Sequence, residues 1–147
     1  TGSVAVEAAL QCRCGRVFAI ERNKRAAALL NKNKEKFGVS HLQIVEGVAP
    51  EALQGLPAPD RAFIGGTGGK LEAILKRLLC ANPSVHVVLN AIALESLSEA
   101  VTAFQKLGFQ NVDIVQVSVA KSRKVEEYQM MIGQNPVYVI AGRGCGS

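Results

Sequence analysis

Residues 59–75 read PDRAFIGGTGGKLEAIL, and this stretch decides the fold. The short apolar run Asp60–Ile64 follows a Pro/Gly-rich turn and has the look of a strand. It passes directly into Gly65-Gly66-Thr67-Gly68-Gly69. From Lys70 to Cys80, the residues Leu71, Ile74, Leu75, Leu78 and Leu79 recur at helical intervals and form one apolar stripe. A strand that hands over to a helix through bare glycine backbone exposes N–H groups at the helix start, where they can hold a carboxylate. A tight or flexible turn is the plainer reading of the same glycines.

The strand–helix alternation extends in both directions. Upstream, Val4–Gln11 reads as a helix and Arg16–Glu21 (RVFAIE) as a strand buried on both faces. Asn23 can cap the next helix, with Ala27, Leu30 and Phe37 at helical spacing and Gly38 as its stop. Leu42–Glu46 is the next strand. Downstream, Val85–Asn90 is a strand and Leu94–Leu107 a helix ended by Gly108. The alternation DIVQVSV within Val112–Val119 predicts a half-exposed antiparallel strand, and Pro136–Ala141 (PVYVIA) predicts the last strand. Lys121–Asn135 is left as a long connection of the kind that often carries function. The pattern predicts an α/β fold with an open, mostly parallel sheet and one antiparallel C-terminal hairpin at an edge, in a single domain over residues 1–147.

Composition narrows the class. Of 147 residues, 48% are hydrophobic and 20% charged, the balance of a globular domain. No apolar run approaches the roughly 18 residues that a membrane span needs. Val4–Leu10 is short and contains Glu7, so it does not read as a signal peptide, and a cytoplasmic protein is expected. The net charge of +5 suits an anionic partner, either nucleic acid or a polyacidic small molecule, although Arg22–Lys36 also reads as a solvated helix face. Cys12, Cys14, Cys80 and Cys145 lack metal-ligand spacing, and neither His41 nor His86 completes a set, so free thiols and no metal are expected.

Two features point to a nucleotide-like ligand. Thr1-Gly2-Ser3 leads straight into a helix, as the second half of a glycine-rich turn does. About twenty residues later Glu21 ends a strand, where an acid can accept hydrogen bonds from both hydroxyls of a ribose. A dinucleotide-binding fold and a class I S-adenosylmethionine (SAM)-dependent methyltransferase share this arrangement.

VFAIERN, NKEKFGVSHLQIVEGVAP, PDRAFIGGTGGKLEAIL, VVLNAIALESL, QVSVAKSR and QNPVYVIAGR together resemble the carbon-15-methylating, decarboxylating subunit or domain of the precorrin-6Y methyltransferases of cobalamin biosynthesis. The similarity runs along essentially the whole chain. It implies a class I, Rossmann-like methyltransferase fold and SAM as cofactor. It also implies methylation of a precorrin at carbon 15 with loss of a ring acetate as carbon dioxide.

By the same resemblance Thr1 and Gly2 belong to the SAM glycine motif, Glu21 binds the ribose, and Ala49 lies against the adenine through its backbone. Gly65, Gly66, Thr67, Gly68 and Gly69 shape the mouth that admits the tetrapyrrole. Val48 stands where the family often has an acid for the adenine amine, which leaves that recognition to backbone groups. The family's first strand and first glycines would precede Thr1, so the chain as given is expected to lack a central strand. A homo-oligomer, commonly a tetramer, and a partner or fused carbon-5 methyltransferase domain are implied as well.

Arg123, flanked by Lys121 and Lys124, is the expected bidentate contact to a substrate carboxylate. No general acid or base stands out. Tyr128 qualifies by residue type alone, and His86 reads better as a core histidine of an apolar strand. Two other functions remain open from sequence, a methyltransferase of the same fold acting on tRNA and a non-catalytic nucleotide-binding module. No aromatic residues interleave with the basic runs, which argues against RNA and for no nucleic-acid partner.

Overall fold

The computed structural model describes residues 2–12 and 14–146. The chain divides into two compact units, Thr1–Leu56 and Pro57–Ser147.

The first unit contains α1 (Ser3–Gln11), β1 (Val17–Glu21), α2 (Lys24–Lys36), β2 (Leu42–Glu46) and a 3-10 turn at Glu51–Leu53. β1 and β2 are parallel, with Val17 opposite Leu42 and Glu21 opposite Glu46. Val6, Ala9, Leu30, Val39 and Leu42 form the core, with Ala5, Val17, Ala19 and Ile44 against it. Asn23 starts α2 as expected: its Oδ1 accepts from Arg25 N at 2.9 Å and Ala26 N at 3.2 Å. Such a cap contributes about 1 kcal/mol. Gly38, at φ 65°, ends the helix. The Gly38 and Val39 amides both donate to carbonyls of the last turn, Glu35 and Lys34, at 3.1 Å. Phe37 was expected on the apolar stripe but caps the helix and is half exposed. The chain reverses there, and Val39 after the turn takes the buried place, a packing that commonly accompanies this kind of helix end.

The second unit contains β3 (Arg61–Ile64), α3 (Leu71–Ala81), β4 (His86–Ala91), α4 (Leu94–Lys106), β5 (Gln110–Val117), β6 (Ala120–Val125), β7 (Tyr128–Gly133) and β8 (Val137–Arg143). Its main sheet runs β3-β4-β8-β5. β3 and β4 are parallel, and β8 is antiparallel to both β4 and β5. The stripe predicted for α3 is buried at Leu71, Ile74, Leu75 and Leu78, and α4 buries Ala100, Ala103 and Phe104. Phe104 stacks on Phe109 with ring centroids 4.4 Å apart. Each such large apolar side chain stabilises the fold by about 1.5–3 kcal/mol. On the rim, Lys106 Nζ reaches both carboxylate oxygens of Glu72, at 2.9 and 3.0 Å, tying α4 to α3.

The last two core-sheet strands, β5 and β8, form the expected antiparallel pair at an edge of the sheet, with β5 outermost and β8 beside β4. Three expectations are corrected by the structure. The segment expected as a long connection is mostly the hairpin β6–β7, a two-stranded sheet of its own. β5 is exposed along its whole length rather than on one face. His86 is exposed, not a core histidine: Val87, Leu89 and Ala91 are buried, and the period of two turns His86 and Asn90 to the other face.

Candidate functional site

In the first unit Glu21 and Ala49 stand at and just after the C-terminal ends of β1 and β2. Glu21 ends β1 and is half-buried. Its Oε1 accepts from Asn23 N at 2.8 Å, which orients the carboxylate, while its carbonyl accepts from Gly47 N at 3.1 Å. Gly47 begins the loop after β2. That loop is folded by Ala52 N to Val48 O at 2.9 Å and Leu53 N to Pro50 O at 3.0 Å. Ala49 between them is half-buried, and its own backbone groups have no hydrogen-bond partner among the described residues. Val48 is exposed.

Gly2 caps α1 at φ 75°, and its carbonyl accepts from Val6 N at 3.0 Å. A Cβ there would collide with the Leu30 side chain, whose Cγ would lie at 3.0 Å. Glycine is therefore required by conformation and by the close approach of α2. Thr1 lies outside the described residues.

In the second unit a cleft of about 420 Å³ opens at the C-terminal ends of β3 and β4. Its walls are Ile64, Gly65, Gly66, Thr67 and Leu71 on one side and Leu89, Asn90, Ala91, Ile92, Ala93, Ser96 and Glu99 on the other, with Val137 of β8. The expected glycine run is thus split. Gly65, Gly66 and Thr67 border the cleft, whereas Gly68 and Gly69 do not. Those two hold φ of 56° and 79° and turn the chain so that Lys70 N reaches Thr67 O at 3.1 Å before α3 begins. The N–H groups of Gly65 and Gly66 have no hydrogen-bond partner among the described residues. α3 and α4 start beside the cleft without side-chain caps, at Lys70 and Ala93. Their first N–H groups add positive potential there.

Arg123 is not brought to this cleft. It sits in β6 opposite Met130 of β7, between the pairs Lys121–Ile132 and Val125–Tyr128, and is exposed with its neighbours. Tyr128 is exposed at the hairpin turn and also borders no part of the cleft. Asn90, Ser96 and Glu99 were not singled out from sequence. The last two stand four residues before Ala100 and Ala103, where the buried stripe of α4 turns polar, a relation that shows only once those alanines are seen to be buried. Among the described residues no group of three or more His, Cys, Asp or Glu is placed to hold a metal. No helix among them is long and apolar enough to cross a membrane.

Comparison with known proteins fits this geometry. The family model described as "Precorrin methyltransferase domain" matches residues 1–142. A protein of Pyrobaculum calidifontis named "Probable cobalt-precorrin-6B C(15)-methyltransferase (decarboxylating)" is 42% identical over 142 residues, 95% of this chain and 72% of that protein. The crystal structure of a precorrin-6Y C5,15-methyltransferase from Geobacter metallireducens superimposes with a TM-score of 0.87 at 39% identity, covering 97% of this chain and 75% of that one. A SAM-dependent O-methyltransferase of Thermotoga maritima shares the fold, with a TM-score of 0.67 at 16% identity over 90% of this chain and 51% of that one. The fold is that of the class I SAM-dependent methyltransferases, and the chain belongs to the precorrin methyltransferase family.

Proposed function

We propose that this protein is a SAM-dependent C-methyltransferase that methylates a precorrin at carbon 15 and removes a ring acetate as carbon dioxide, in cobalamin biosynthesis. The observation that carries the proposal is the cleft of about 420 Å³ walled by the side-chain-free Gly65 and Gly66, in a chain 42% identical to a protein named for that reaction.

The residues present suit the cofactor. Glu21, fixed by the Asn23 amide, offers a carboxylate at a strand end for the ribose hydroxyls. The unpartnered Ala49 backbone offers a donor and an acceptor for the adenine edge, as the position of Val48 requires. Gly2 belongs with them at the start of α1. SAM supplies the electrophilic methyl group on a sulfonium, and the remaining work is orientation and exclusion of water. In the second unit, the free Gly65 and Gly66 amides and the uncapped starts of α3 and α4 favour the carboxylates of a polyacidic macrocycle. Apolar Ile64, Leu71, Leu89 and Ile92 suit its ring faces.

We infer further that the protein is cytoplasmic and works as a homo-oligomer, with a carbon-5 methyltransferase domain as partner or fusion. The oligomer would cover the β6–β7 hairpin, which exposes Val125, Tyr128, Met130, Met131 and Ile132. Tyr128, Met130 and Ile132 alternate onto one face of β7, with Val125 opposite Tyr128, and exposed apolar surface of this kind marks interaction sites. Arg123, lying in that hairpin, would act on substrate carboxylates only where assembly brings it to a cleft.

Thermal unfolding with and without S-adenosylhomocysteine, on the full-length protein, tests the proposal. At 100 times its dissociation constant the ligand should stabilise by about 2.7 kcal/mol, a shift of several degrees, while NAD gives none. A melting temperature unmoved by S-adenosylhomocysteine overturns the cofactor assignment and the precorrin reaction together.

A further inference from the structure

The residues that line the cleft fall into two sets by exposure. Ile64, Leu71, Leu89 and Ala91 are each no more than 7% exposed and form its floor. The polar side chains stand elsewhere: Asn90, Ser96 and Glu99 are exposed at the mouth, and Thr67 is half-buried. The floor side chains offer a ligand no hydrogen bond. At Leu89 the backbone has a partner strand on either edge, at Ile64 of β3 and Ile140 of β8. The free Gly65 and Gly66 amides belong to exposed residues as well. At roughly 30 Å³ per atom, a water's share, a cleft of about 420 Å³ takes on the order of 14 non-hydrogen atoms. That is one five-membered ring with its side chains, not a whole macrocycle.

Resting on the function proposed above, we propose that the ring carrying the acetate enters the cleft, and that Ile64, Leu71, Leu89 and Ala91 form the subsite from which carbon dioxide leaves. Apolar surroundings are unfavourable for the acetate's carboxylate. Contacts of the outer carboxylates with the Gly65 and Gly66 amides offset that cost. Methyl transfer adds one positive charge to the macrocycle. The bond between the acetate's methylene and its carboxyl carbon then breaks. Its electron pair enters the conjugated ring and cancels that charge, and carbon dioxide leaves neutral. The exocyclic methylene takes a proton from water at the open mouth and the methylated carbon gives one up, which restores the uncharged conjugated ring. No ring N–H takes part, so the step is the same with or without a metal at the ring nitrogens. Charge disappears as the C–C bond breaks, so surroundings that solvate charge poorly raise the reactant more than the transition state. A polar side chain on the floor removes that difference.

The test compares the full-length wild type with Leu89→Asn and with Leu89→Met, which changes the same side chain without adding a hydrogen-bonding donor. The ratio of carbon dioxide released to methyl transferred, read from the masses of the products, does not depend on how much of each variant is folded. Wild type should release carbon dioxide and transfer methyl in equal amounts. In Leu89→Asn carbon dioxide release should slow on the order of 10-fold relative to methyl transfer. A methylated product that still bears its carboxylate then accumulates, while Leu89→Met keeps the wild-type ratio. Equal amounts in Leu89→Asn overturn the proposal, as does the same fall in Leu89→Met, which would place the effect in packing. A measurement on wild type alone checks the same point. The acetate carboxyl of an isotope-labelled tetrapyrrole, bound together with S-adenosylhomocysteine, is titrated by NMR. Apolar surroundings should raise its pKa above that in the free tetrapyrrole, and a pKa unchanged on binding overturns the subsite. A wild type that binds S-adenosylhomocysteine but neither binds nor methylates a tetrapyrrole overturns the function on which the subsite rests.

Discussion

Substitution at Gly66 should separate the two reasons for the glycine run. A Cβ built on Gly66 meets no atom within 4 Å, and Gly66 is not among the residues with positive φ. Leucine there disturbs no packing and strains no backbone, so stability should stay within about 0.5 kcal/mol of wild type. The added side chain has the cleft to occupy. Its four carbons, at roughly a water's share of ~30 Å³ each, take up about 120 Å³ of a cleft of about 420 Å³. Forcing a ligand past that much extra volume costs about 1–3 kcal/mol, or roughly 5- to 150-fold in affinity. Gly69→Ala inverts the pattern. Its φ of 79° places alanine in the left-handed region, at about 1–2 kcal/mol, or a melting temperature lower by roughly 2–8 °C. Because Gly69 does not line the cleft, its loss of tetrapyrrole affinity should be the smaller. Absorbance titration of a tetrapyrrole and thermal melts of both variants provide the comparison. Wild-type tetrapyrrole affinity in Gly66→Leu would mean the macrocycle does not occupy this cleft. A thermally silent Gly69→Ala would remove the conformational reason for its glycine.

Glu21→Gln keeps an acceptor for the Asn23 amide but gives up the charge. Affinity for S-adenosylhomocysteine should drop roughly 5- to 30-fold, the difference of about 1–2 kcal/mol between charged and neutral hydrogen bonds, and calorimetry showing no change would dissociate Glu21 from the ribose. Glu72 is held at about 2, below its ordinary 4.5, by hydrogen bonds from Lys76 and then Lys106. A depressed carboxyl stabilises the fold above its unfolded pKa and loses that contribution as pH falls. The melting-temperature advantage of wild type over Glu72→Gln should therefore shrink from about pH 4.5 down to about pH 2, and should also shrink in high salt because the pair is exposed. A pH-independent difference would place the effect in packing. Met130→Glu with Ile132→Glu, on one face of the β6–β7 hairpin, should move the full-length protein to a smaller species by sedimentation velocity. An unchanged sedimentation coefficient would exclude that face from the interface.

Where burial dictates sequence, the fold could be read directly. The stripe Leu71, Ile74, Leu75, Leu78 had to be a helix packed on one side, and Asn23 and Gly38 marked the ends of α2 with side-chain and backbone chemistry that operates locally. The hairpin β6–β7 could not be read in that way. All its residues are exposed, so no face demands alternation, and its turn is Glu126-Glu127 with φ 53° at Glu126 instead of an Asn-Gly pair. The pairing of β5 with β8 was expected, but nothing in PVYVIA alone states that β8 also pairs with β4, which is more distant in sequence. The candidate site divides along the same line. Glu21 and the glycines were legible because a strand end or a glycine cluster is a local statement. Arg123 was legible as a cation, but its place outside the cleft lining was not, since that depends on a hairpin whose residues are all exposed. Glu99 carries the complementary lesson. A carboxylate in the first half of an amphipathic helix is ordinary on a solvated surface. It becomes informative only once Ala100 and Ala103 are seen to be buried and the positions one turn earlier are seen to face a cleft.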